Sequence, residues 1–97
     1  LNVTSERTAP SLAKLAALAE IVKALPAEER RGSLLEEVEA LGRAVAAFHM
    51  EAIRFRMHAV DRLLRVADAE PAARSAFDEL RRELEAAGFH TRSHAAP

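Results

Sequence analysis

The side chains able to do chemistry in this chain fall into three small groups. His58 and Asp61 stand three residues apart, one helical turn, with Glu51 two turns earlier on the same face. As an acid/base set they would move protons, and as a donor set they would begin a metal site. Arg54 and Arg65 share that face, however, and their positive charge opposes a cation. The wedge of Glu51, Arg54, His58, Asp61 and Arg65 therefore reads as a solvated ladder of i,i+3 and i,i+4 pairs, each contributing roughly a few tenths of a kcal/mol.

His90 and His94 have the i,i+4 spacing of two helical zinc ligands, but Gly88 stops the helix before them and only two ligands are supplied. The Glu-x-x-His motif of carboxylate-bridged di-metal bundles is absent, because Ala46, Phe55 and Ala87 precede His49, His58 and His90 by three residues.

The third group is His49 and Arg56, which sit between two apolar stripes of one helix. There Arg56 would pair with an acid of the last helix or of another chain, and loss of one member of such a buried pair costs about 3–5 kcal/mol. His49 would take or lose a proton near neutral pH. Snorkelling of Arg56 to water, with His49 on the edge of the core, is the plainer alternative.

Cys and Tyr are missing, and His58 with Glu51 or Asp61 is the only sequence-adjacent acid/base set, so the chain reads as non-catalytic with no cofactor. The net charge of −1 favours neither nucleic acid nor an anionic membrane. Arg43, Arg54, Arg56, Arg62 and Arg65 make the middle of the chain basic, but on one helix they do not share a face, and no exposed aromatic is expected for base stacking. No run of about 18 apolar residues exists to span a membrane, and cytoplasmic is the default expectation. Arginine-over-lysine usage is the habit of GC-rich bacterial genomes.

These groups must be positioned by helices, because every periodic segment fits 3.6 residues and none alternates like a strand. The expected architecture is all-α, one domain over 1–97. The first helix covers about 9–25 on a stripe of Leu12, Leu15, Ala19 and Val22, and Gly32 breaks the chain after it. Ser33 and Glu36 form a capping-box pattern opening a central helix over about 34–67. No proline interrupts it until Pro71, so it would be about 50 Å long. The third helix covers about 71–87, Gly88-Phe89 stops it, and 89–97 form a loose tail.

The central helix is apolar on two sides in its second half. Phe48, Ala52, Phe55, Ala59, Leu63 and Val66 continue the stripe of Leu34, Val38, Leu41 and Val45. Met50, Ile53, Met57, Val60 and Leu64 form a second stripe roughly 150° away by helical rotation. Of the hydrophobic 49% nearly half is alanine, and four Phe are the only aromatics, so the core is thin for 97 residues. A homodimeric helical bundle follows, with a seam through Gly42, Ala46, His49, Met50, Ile53, Arg56, Met57, Val60 and Leu64. Gly42 and Ala46 would let two backbones approach. The function expected is a protein-interaction or regulatory module; the alternative is a bundle holding a metal ion or small ligand between subunits near His49, Arg56, His58, Asp61 and Glu51.

Overall fold

The computed structural model describes residues 3–26, 29–66 and 71–91, and among them the chain is all-helical without strands. Four helices follow in order, α1 (Val3–Lys23), α2 (Glu29–Ala46), α3 (Met50–Val66) and α4 (Pro71–Ala86). They run up, down, up and down. α1 packs against both α2 and α4, α2 packs against α1 and α3, and α3 approaches α4 only marginally.

The single long helix expected over 34–67 is two helices, and this is the main correction to the three-helix reading. α2 ends where Phe48 N–H donates to the Val45 carbonyl and His49 N–H to the Ala44 carbonyl, each at 3.0 Å. That pair of bonds is a Schellman stop, with Phe48 in the left-handed position at φ 61° where glycine is usual. α3 then starts at once: the Ile53 N–H bonds the His49 carbonyl at 2.9 Å, and the Ala52 N–H donates to His49 Nδ1 at 3.2 Å. His49 is thus the N-cap of α3, its imidazole doing what a serine or aspartate side chain does elsewhere.

Burial decides for the break. On a straight helix the stripe of Val38 and Val45 and that of Ile53, Met57, Val60 and Leu64 point in different directions. Folding back at 47–49 turns both inward, and all six side chains are buried within the one chain. Each large apolar side chain gains about 1.5–3 kcal/mol from burial, whereas one non-glycine residue in the left-handed region costs roughly 1–2 kcal/mol. The sum over the stripe outweighs the strain.

The two stripes of α3 consequently exchange roles. The one expected to face a second copy is core, with Met50 half-buried beside it, while the one assigned to the fold lies at the margin and leaves Phe55 64% exposed. Around Gly42 a Cβ would meet nothing within 4 Å, and Ala46 is exposed.

Two helix starts also differ from expectation. α1 begins at Val3, not near residue 9, and runs through Pro10. The turn before Pro10 is held from outside: Thr8 is buried, and Arg7 Nε donates to the Ala87 carbonyl at 2.7 Å. α2 begins at Glu29 and passes straight through Gly32 and Ser33, so neither the break nor the capping box operates. Arg31 anchors that turn by reaching back to the carbonyls of Lys23 and Leu25, at 3.4 and 3.5 Å, where α1 leaves backbone oxygens without intrahelical partners. Asp68 and Glu70, either of which suits the N-cap of α4 by residue type, lie outside the described residues.

α4 buries Ala73, Phe77, Leu80 and Leu84 and ends in a second Schellman stop, with Gly88 at φ 100°. Phe89 N–H donates to the Leu84 carbonyl at 2.9 Å, and its ring is buried. Phe89 and Thr91 are both buried, so the segment after Gly88 is docked as far as residue 91 and not loose there. The α2 and α4 stops meet. Phe89 packs edge-on against Phe48 with centroids 5.0 Å apart, and the Arg7 guanidinium lies 4.7 Å from the Phe48 centroid and 5.6 Å from that of Phe89. One cation therefore serves two helix C-termini, whose partial negative charge favours it.

A candidate binding groove between α3 and α4

α3 and α4 are joined by side chains more than by close backbone packing, and the space between them is an open groove of about 970 Å³. One wall is the face of α3 carrying Glu51, Arg54, Phe55, His58, Asp61, Arg62 and Arg65, which recur at three- and four-residue intervals. The other is the face of α4 carrying Arg74, Asp78, Arg81, Arg82 and Glu85, with Thr91 at its end. From Glu51 to Arg65 the groove runs about 21 Å along the helix axis.

The floor is ordered by charge. Asp61, with only 16% of its side chain exposed, accepts from Arg74 Nη1 at 2.9 Å and forms an ion pair with Arg65, whose Nε lies 3.1 Å away. Arg74 also lies 3.7 Å from Asp78. Beneath them the Phe77 ring is fully buried, with the guanidinium of Arg81 at 5.2 Å and that of Arg74 at 5.5 Å from its centroid. At those distances both cations lie within cation–π range of the ring. At the far end the Thr91 hydroxyl donates to Glu85 at 3.4 Å. Arg62 and Arg82 are exposed at the rim.

Six guanidiniums line the groove against four carboxylates, an excess of two positive charges in a chain whose total is −1. No known protein family, curated protein or solved structure matches the chain.

The residues singled out for chemistry divide between three places. Glu51, His58 and Asp61 do share the groove, but Asp61 is held by two arginines and His58 is exposed. His49 caps α3, its Nδ1 accepting from the Ala52 N–H at 3.2 Å. Arg56 turns to α2 and holds Glu37, Nη1 lying 2.9 Å from Oε1 and 3.2 Å from Oε2. Its acid is thus on the helix before it, not on the last helix. The five residues expected around one metal or ligand accordingly do not converge. Among the described residues no group of three or more His, Cys, Asp or Glu stands close enough to hold a metal ion. His94, the partner of His90 in the zinc spacing, lies outside those residues. Nor is any described helix long and apolar enough to cross a membrane.

The arginine cluster and the exposed Phe55 were missed because each requires the other helix. Arg54, Arg62 and Arg65 do not look like a site until Arg74, Arg81 and Arg82 are set opposite them. The available signal was the repeat of arginines at about helical spacing on both sides of Pro71.

Proposed function

We propose that this protein is a non-catalytic helical interaction module that receives an acidic amphipathic helix of another protein in the groove between α3 and α4. The observation that carries this reading is the groove's lining, six arginines around an exposed Phe55. A trough about 21 Å long accepts about four turns of helix laid along it. The excess positive charge selects an acidic segment and steers its approach. Phe55 and the aliphatic stems of the arginines supply apolar surface for one or two anchoring residues, and aromatic and arginine side chains are the ones that dominate such interfaces. The four carboxylates in the walls argue against a uniformly anionic polymer, which they would repel. A two-fold pairing of the groove with itself would set arginine against arginine, so the occupant is a different, acidic surface.

Selection from a random library of helix-biased 16-residue peptides tests this reading directly. Peptides retained by the protein should be rich in Asp and Glu, with apolar residues at three- and four-residue spacing. Reversing the rim charges in R62E/R82E should weaken them about tenfold or more, and Phe55→Ala should do likewise. Selection of neutral or basic peptides overturns the proposal, as does indifference to both variants. So does tighter binding of a random 16-nucleotide RNA than of any selected peptide.

A further inference from the structure

The α2–α3 junction is built from residues that suit a helix. Between Arg43 and Glu70 there is neither glycine nor proline, and the turn consists of Ala47, Phe48 and His49 alone. Phe48 holds a φ of 61°, a conformation that straightening the chain into helix would relieve. Local preference and folded conformation therefore oppose each other at this one point.

We infer that two copies of the chain exchange halves at this hinge. Residues 47–49 become helical, α2 and α3 join into one continuous helix, and the α1–α2 half of each copy binds the α3–α4 half of the other. The interaction surface is the face that α1 and α2 already present to α4 and α3, and its partner is a second copy. That face is complementary by construction, because the contacts of α1 with α4 and of α2 with α3 are the same whether made within one chain or between two. The Glu37–Arg56 and Lys14–Glu79 pairs likewise re-form between copies.

What differs between the two forms is confined to the hinge. The closed form has the stacking of Phe48 on Phe89, the Arg7 guanidinium on the Phe48 ring and the His49 cap. The open form removes the strained φ and regains an uninterrupted helix. Concentration then tips the balance, since exchange creates no new strain and consumes two chains. The α3–α4 groove moves as a unit, so an exchanged dimer carries two grooves, one on each of its two continuous helices spanning 29–66, each about 57 Å long. The inference stands apart from the identity of the groove's ligand.

Two substitutions push the equilibrium in opposite directions. Met50 is the first residue of α3, where proline is well tolerated, but in a joined helix position 50 is interior and proline is disruptive there. Met50→Pro should therefore lower dimer formation by roughly a hundredfold or more. Phe48→Ala removes the ring contacts of the closed hinge while keeping the strained φ and a strong helix former. It should raise dimer formation by about tenfold or more.

The test is the solution mass of full-length protein after refolding at concentrations from about 10 μM to 1 mM, with a cross-link to assign the contacts. The chain has no native cysteine, so E37C/R56C can be bridged by a short bismaleimide without competing thiols. The expected result is a dimer at high concentration whose 37–56 bridge joins two chains, enriched in Phe48→Ala and lost in Met50→Pro. Wild type and Phe48→Ala that both remain monomeric at 1 mM overturn the inference. A dimer bridged only within each chain does so too, being side-by-side association, and so does Met50→Pro that dimerises like wild type.

Discussion

Arg56 and Glu37, 19 residues apart in sequence, meet at 2.9 Å across α2 and α3. On one straight helix their backbones would be about 28 Å apart, so within a single chain this ion pair forms only because the chain turns back at Phe48. It ties the two helices at mid-length and leaves Arg56 outside the groove that the other α3 arginines line. Both side chains are about one-third exposed or less, which gives the pair more worth than a fully solvated one. A double-mutant cycle with Glu37→Gln and Arg56→Gln is expected to return a coupling of about 0.5–1 kcal/mol. Additive effects in urea unfolding would show that the pair contributes nothing.

The three glycines make opposite predictions. Gly32 and Gly42 lie inside α2 with open space where a side chain would go. Gly32→Ala and Gly42→Ala should each stabilise the fold by about 0.5–1 kcal/mol. Gly88 is different, since its φ is 100° and a Cβ would come 2.6 Å from the Arg7 guanidinium. Gly88→Ala should cost roughly 1–2 kcal/mol, and thermal melts of the three variants rank them. A destabilised Gly42→Ala would point to a close backbone neighbour at that position, the role first read from its spacing with Ala46.

Ser11 is fully buried on α1, and its hydroxyl has no hydrogen-bond partner. Leaving such a group unsatisfied is unfavourable, and serine is also a poorer helix former than alanine. Ser11→Ala is expected to stabilise by about 1 kcal/mol, equivalent to a rise in Tm of about 4–8 °C for a chain of this size. A lowered Tm would mean that the hydroxyl is bonded in solution.

Glu79 is held below its ordinary value of 4.5, first by the hydrogen bond and then by the charge of Lys14, 2.9 Å away, with Arg82 adding to it. Because the folded pKa is the lower one, the group stabilises the fold above the ordinary value. That contribution is lost as pH falls through the depressed folded pKa. Urea midpoints measured from pH 6 down to pH 3 should therefore decline less in Glu79→Gln than in wild type. Identical acid limbs would rule out a role for the Lys14 contact.

Much of this fold was legible one helix at a time. The all-helical class follows from 3.6-residue periodicity, and the stop of α4 follows from Gly88-Phe89, since glycine enters the left-handed region without strain. The polar wedge of α3 was legible as a face, and Asp61 does pair with Arg65 one turn on. Its stronger tie to Arg74 was not, because nothing within α3 indicates which helix will stand opposite. The start of α1 was misread for a related reason: Pro10 discourages helix before it, and only the docking of Arg7 on Phe48, Phe89 and Ala87 overrides that. Gly32 and Ser33 misled likewise, since local breaking and capping tendencies of about 1 kcal/mol yield to a helix anchored at both ends.

The sequence by itself determined the all-helical class and which residues are apolar along each segment, because those properties depend on neighbours within one or two turns. Tertiary structure alone decided that the helix expected over 34–67 should break at Phe48. It also decided that the stripe of Ile53, Met57, Val60 and Leu64 should become core, and that arginines from two helices should line one groove. No residue near position 48 demands a turn. The demand comes from apolar side chains on α1 and α2, distant in the chain, whose combined burial exceeds the local strain of one left-handed phenylalanine.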